Sequence, residues 1–237
     1  MQWIDLFLWY LWAQAFGLGG SLLASTWLRH LPDRGYAAGK AAGLVLGGFV
    51  YWLSITLGFA TNNVGAALLG LAAVWAAALW GLGAPRWNFA AIREALPARA
   101  VIVSTELVFA LSFAGWAYFR ALTPEIFDSG GEKFMESMMI NAIVRAPSFP
   151  PNDAWLNGLS LSYYYFGYVL FAVLIKVSGV APAIAFNLGG ALVFALTATG
   201  AYGLGLNLWM AAQQASGKLA RKAAPAPRVV GSLADIA

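Results

Sequence analysis

The chain alternates long apolar runs with short polar punctuation, and the length of those runs decides its class. Residues 3–28, 41–60, 64–83, 101–122, 160–178 and 181–209 form six stretches of about 19 to 29 residues with few charges. At about 1.5 Å per helical residue, each can cross about 30 Å of hydrocarbon. Alternating strands of about ten residues would not give such continuous runs, so a barrel is excluded. The pattern predicts an all-α, polytopic integral membrane protein of about six transmembrane helices. Residues 1–210 read as one transmembrane domain and 211–237 as a polar, basic tail.

Composition sharpens this picture. The chain is 61% hydrophobic and only 10% charged, against about 25% charged in a soluble domain. With no cysteine there is no disulfide, thiolate metal site or cysteine nucleophile. The single histidine, His30, excludes a His-rich cluster, so no metal site and no cofactor of the protein's own is expected. Asp5 opens the first run in place of a basic segment and Arg29 and Arg34 follow it, which marks a retained span, not a cleaved signal peptide.

The formal charge of +4 is unevenly placed, and in a membrane chain that placement reports topology. No nucleic-acid partner is expected. Arg29, Arg34 and Lys40 in the first loop, with Arg86, Arg93 and Arg99 in the third, point to the cytoplasmic side of the cell's inner membrane. The N-terminus and the connector 123–159 then lie outside, in keeping with the surplus of acids in that connector. The tail disagrees: six spans put it outside, yet it holds Lys218, Arg221, Lys222 and Arg228. Either one span is wrong or the tail is a following cytoplasmic loop with a different helix count.

Three local patterns carry more. Gly35, Gly39, Gly43 and Gly47 recur every four residues and so share one helix face, a stripe that lets a neighbouring backbone approach closely. It serves packing inside this chain or contact with a partner subunit. Residues 84–100 place Trp87, Phe89, Ile92 and Leu96 among Arg86, Arg93 and Arg99, a short amphipathic segment for the cytoplasmic interface. In the long connector, Asp128, Ser129 and two glycines break the fourth span, and Glu132 to Arg145 then carry a helical pattern with Phe134, Met135, Met138, Met139, Ala142 and Ile143 on one side. That predicts an external interfacial amphipathic helix near 131–145, ended by Pro147, Pro150 and Pro151, with Trp155 at the membrane surface.

These residues also carry a resemblance. Leu31-Pro32-Asp33-Arg34-Gly35 with Lys40 and Gly43, Thr105-Glu106, Arg120 to Ile126, Gly130-Gly131-Glu132-Lys133, Asn141-Ala142, Phe149-Pro150-Pro151 with Asp153 and Trp155, and Tyr163 to Gly167 resemble the N-terminal part of the large membrane proteins named for a Tyr-Tyr-Tyr motif, known from archaea and the Chloroflexi. That resemblance implies kinship with the GT-C glycosyltransferases, polytopic enzymes that move a sugar from a polyprenyl-phosphate donor. It places Glu132 and Asp153 as candidate catalytic acids in the external loop, with Lys133 and Arg145 available to the donor phosphate. Members of that family continue well beyond the Tyr motif, so the chain reads as a truncated relative.

Each candidate has a plainer reading. Glu132 and Glu136 suit a solvated first helical turn, where the dipole favours acids. Glu106 is either an interfacial or a satisfied buried acid, and Arg120 lies about 21 Å along the same helix, too far to pair with it. Tyr163, Tyr164, Tyr165 and Tyr168 anchor a span at the outer interface or stack on a sugar, quinone or pigment. His30 is a polar edge or a ligand to a pigment magnesium. Two functions follow. One is a non-catalytic scaffold or accessory subunit of a larger membrane complex, for which a photosynthetic reaction-centre and antenna assembly is a candidate host. Trp9, Trp12, Tyr164 and the glycine stripe would contact other integral membrane subunits, lipids, quinone or pigment. The other is a GT-C-like transferase, or half of one.

Overall fold

The computed structural model describes residues 3–83, 89–126, 131–156 and 158–223. Asp128, Ser129, Arg86, Trp87 and Arg228, to which the sequence reading gave roles, lie outside the described residues. The chain is all-α, with the helices α1 (Trp3–Trp27), α2 (Tyr36–Thr56), α3 (Val64–Gly81), α4 (Phe89–Ala95), α5 (Arg99–Leu122), α6 (Lys133–Arg145), α7 (Phe166–Ser178) and α8 (Pro182–Ala223). Five of them, α1, α2, α3, α5 and α8 over Pro182–Ser216, are long and apolar enough to cross a membrane.

The bundle is built on close backbone contact between α1 and α2. A Cβ placed on Gly39 would meet the Ser21 and Gly20 backbones, and one on Gly43 would land on the Phe16 carbonyl. Gly47 faces the Phe16 ring and the Gly70 carbonyl of α3, so α2 is clasped on two sides. Only small residues permit this in hydrocarbon, where dispersion and not water exclusion joins helices. Gly35 departs from the stripe: it precedes α2 with φ +72°, a conformation that favours glycine, and its missing Cβ leaves room for Leu28. Elsewhere large apolar side chains such as Leu107, Leu111, Leu68 and Leu204 point outward, as suits helices whose surroundings are lipid.

Buried polar clamps fix the register of the helices. Asp33 is 1% exposed. Its carboxylate accepts the Gly35 amide at 2.8 Å and the Ala37 amide at 3.3 Å, capping α2, and it also accepts Asn207 Nδ2 of α8 at 2.8 Å. At the other end of the bundle, Asn62 between α2 and α3 accepts the Tyr51 hydroxyl and donates to the Ile143 and Ala146 carbonyls, both at 2.7 Å. Those are orphan carbonyls at the C-terminal end of α6. Lys176 Nζ donates to the neighbouring Val144 carbonyl at 2.9 Å. The interfacial helix is therefore tied down by polar groups at one end, and it buries Met139, Ile140 and Ile143 against the bundle. Phe134, expected on that apolar side, is 58% exposed.

The path of the chain between α5 and α8 resolves the conflict over the tail. Arg120 Nε, at the end of α5, donates to Asn187 Oδ1 near the start of α8 at 2.9 Å, while Asn187 Nδ2 donates to the Pro124 carbonyl at 3.1 Å. Four turns further in, Tyr202 of α8 donates to Ser104 near the start of α5 at 2.7 Å. These two helices are thus antiparallel, and residues 123–181 leave and return at the same end of the bundle. The run expected as a span at 160–178 contains only the 13-residue α7, about 20 Å long and too short to cross by itself. The described long spans number five. An odd number of crossings carries α8 out past Asn207 at the end where Asp33, Arg34 and Arg99 lie, so the basic tail starts on the same side as the basic loops.

Candidate functional site

Within the bundle, one ionic network joins α1, α2 and α5 near that loop end. Lys40 Nζ lies 2.8 Å from Glu106 Oε1 and donates to Gln14 Oε1 at 2.6 Å. Gln14 Nε2 donates to Glu106 Oε2 at 2.9 Å and to the Tyr10 hydroxyl at 2.8 Å, and the Tyr36 hydroxyl donates to Glu106 Oε1 at 2.8 Å. The ammonium also sits 4.7 Å from the centre of the Phe109 ring. Lys40 is therefore not a loop cation but a buried one, with its side chain 1% exposed. Glu106 is a satisfied, half-buried acid. A charge in hydrocarbon must find its opposite inside the bundle, and each group here has done so. The sequence signal for the pair was Glu106 itself, since an acid inside a span calls for a cation, and Lys40 was the missing partner because it read as the edge of a loop.

The opposite end, capped by α6 and α7, holds the open spaces. A cavity of about 690 Å³ runs beside α8 from Phe186 to Thr197, between α5, α7 and the inner face of α6. Its wall is apolar and aromatic: Trp116, Phe171, Leu174, Phe186 and Phe194 contribute, with Trp9 of α1 and Leu44 of α2. Trp116 and Phe194 stack with centroids 4.7 Å apart. Gly167 and Gly190 widen it, since a Cβ on either would meet nothing within 4 Å. The polar groups on the wall are Glu136, Tyr168 and the Thr197 hydroxyl, which donates to Val193 O. The Tyr168 phenol lies beside the Glu136 and Glu132 carboxylates.

A second recess, of about 490 Å³, lies on the outer side of α6 and contains Arg145 and Asp153 together with Met138, Asn141 and Asn152. The structure brings these two candidates to one surface. Glu132 and Lys133 open α6 and are not part of this lining. Asp153 has a structural task as well: its Oδ1 accepts the Trp155 and Leu156 amides at 2.8 and 3.0 Å, holding the turn that follows.

The tyrosine run precedes α7 instead of winding around a helix. Tyr163 and Tyr164 are exposed and meet edge to face, while the Tyr165 hydroxyl accepts the Trp52 indole N–H at 2.9 Å. Trp9 is wholly buried, so no partner chain can reach it from outside, whereas Trp12 is half-buried against the core. His30 is exposed in the loop after α1. No group of three or more metal-ligating side chains is found among the described residues.

The family model described as "Uncharacterized membrane protein (DUF2298)" matches residues 46–236. The chain belongs to this family. No curated protein and no solved structure matches it. In this DUF2298 chain the matched segment begins inside α2 and includes α6, the tyrosine run, Arg145 and Asp153 of the outer recess, and the α5, α7 and α8 walls of the cavity.

Proposed function

We propose that this multi-pass membrane protein is a non-catalytic subunit that holds an amphiphilic, lipid-like molecule within its bundle and works as part of a larger membrane assembly. The observation that carries this reading is the cavity under α6. It has the size of a small-molecule site, about 300–1,000 Å³ in general, and a wall of aromatic and aliphatic side chains with a few polar groups near the interfacial helix. A lipid, quinone or pigment tail matches such a wall. The ionisable groups deeper in the bundle bind one another, which supports a framework role for them. The five crossings and the basic loops support an external α6 and a cytoplasmic tail.

One observation favours a second reading, a GT-C-like sugar transfer from a polyprenyl-phosphate donor: Arg145 and Asp153 share the outer recess, where a phosphate and an acceptor hydroxyl could meet. Acid–base chemistry there would need a carboxylate within hydrogen-bond reach of the acceptor. The two readings part in a transfer assay with the purified chain in vesicles and a radiolabelled polyprenyl-phosphate sugar. The non-catalytic reading expects no transfer. Transfer that disappears in Asp153→Asn or Glu132→Gln establishes the enzyme instead. Absorption spectroscopy of the assembly purified from its native membrane reads out pigment, and with it the photosynthetic host.

A further inference from the structure

The cavity under α6 has one electrostatic feature that its apolar wall does not explain. Glu136 is the one charged side chain in its described lining, which contains no lysine, arginine or histidine. It is half-buried, and the Tyr168 phenol of α7 lies beside it, with the Glu132 carboxylate and the Tyr163 phenol near that phenol. Lys133 opens α6 outside the lining, and together with Glu132 and Glu136 it leaves one net negative charge there. Deeper in the bundle, Glu106 receives its cation from within the chain, from Lys40. At the cavity no lining residue supplies one, although an opposite charge stabilises a carboxylate strongly beside low-dielectric walls. The second feature is access. Val193, Phe194 and Thr197 line the cavity and are also exposed on α8, so the space opens sideways toward the hydrocarbon. From Phe186 to Thr197 the wall runs about 17 Å along α8 at the helical rise.

We infer that the occupant is a lipophilic cation, its positively charged nitrogen held against Glu136 and Tyr168 and its apolar chain lying along α8 between Phe186 and Thr197. This deepens the ligand-holding reading above and rests on it. The carboxylate supplies the opposite charge, the phenol rings of Tyr168 and Tyr163 attract a cation that approaches their faces, and the aromatic wall takes the chain. A phosphate or carboxylate head in the same place would meet a carboxylate and no lining cation, and a neutral head would gain nothing from the charge. Two sources share this chemistry, the ammonium head of a zwitterionic phospholipid such as phosphatidylethanolamine and a free alkylamine.

The test uses the full chain in dodecyl maltoside micelles, whose heads are uncharged, and two radiolabelled probes of the same shape. Decylpyridinium carries the cation, decylbenzene is its neutral counterpart, and empty micelles give the background. The wild-type chain is expected to bind decylpyridinium about three- to tenfold more tightly, the range of one partly buried ion pair. Glu136→Gln is expected to remove that preference and to leave decylbenzene unchanged. Gly190→Leu fills the cavity from a position with open space around its Cβ and is expected to abolish binding of both. If Gly190→Leu abolishes both probes while the wild type binds them equally, or while Glu136→Gln keeps the preference, the cavity stands and the cationic occupant is overturned. If Gly190→Leu leaves both bound, or the wild type binds neither, the ligand-holding reading falls and the inference with it. Should Glu136→Gln not accumulate, the wild-type comparison decides alone. Competition then separates the sources. Displacement of decylpyridinium by phosphatidylethanolamine names the phospholipid, and displacement by decylamine alone names a free amine. Displacement by phosphatidylglycerol as effective as either overturns the inference.

Discussion

Replacing Gly43 by alanine adds one methyl group to a helix face where there is no room for it. Its Cβ would fall on the Phe16 carbonyl oxygen, with the Phe16 carbonyl carbon at 2.9 Å and Gly20 Cα at 3.0 Å. All three obstacles are backbone, so no rotamer change relieves them and α1 and α2 must separate by about an ångström. A gap of that size forfeits about a quarter to a half of the dispersion energy of the atoms that lose contact. Overpacking generally costs about 1–3 kcal/mol, and a rigid backbone obstacle puts Gly43→Ala at the upper end, about 3 kcal/mol. The internal control is Gly115→Ala on α5, where a Cβ meets nothing within 4 Å. There the better helix propensity of alanine adds up to about 1 kcal/mol. Reversible unfolding in mixed micelles, followed by tryptophan fluorescence, measures both. If Gly43→Ala is as stable as the wild type, the backbone contact between α1 and α2 is not what holds the bundle.

Other outcomes follow from the same geometry. Glu106→Gln strands the Lys40 ammonium and is expected to cost about 3 kcal/mol, the low end for a broken buried pair because the Glu106 side chain keeps 27% exposure; a further Lys40→Met exchange recovers most of that loss in the same unfolding assay. Asn62→Ala leaves two α6 carbonyls without their donor and is expected to cost about 1–3 kcal/mol, read as faster amide exchange in the last turn of α6. Because the chain has no cysteine, single replacements report sidedness cleanly: five crossings place Ser148→Cys and Ser216→Cys on opposite faces of the membrane. Labelling of both from one side with an impermeant maleimide refutes that count.

The parts of this fold legible in the sequence are those set by length and composition. Unbroken runs placed α1, α3 and α5 to within about two residues, but α2 begins and ends earlier than the expected 41–60 and α8 continues to Ala223, past the expected 209; the prolines after Arg145 marked where α6 stops. What escaped was any feature made by two distant segments. The run 160–178 had the length of a span, but its first residues, including Tyr163 to Tyr165, form a loop, and only α7 is helical. The clue was the tail, whose basic residues called for an odd number of crossings. Lys40 and Glu106 are 66 positions apart, so no local pattern joined them, although an acid inside a span calls for a partner. For the candidate site, the four residues drawn from the family resemblance divide, with Arg145 and Asp153 on the outer recess and Glu132 and Lys133 at the start of α6. The cavity itself is assembled from six helices and left no trace in any one of them.

The account stands or falls most directly on the amphiphile content of the chain purified from its native membrane. Solvent extraction and quantitative mass spectrometry, at equal protein, should return close to one amphiphile per wild-type chain and almost none from Gly190→Leu, with the two proteins equally folded. The same amphiphile in equal amount from both would contradict it, because the space under α6 would then hold nothing of its own.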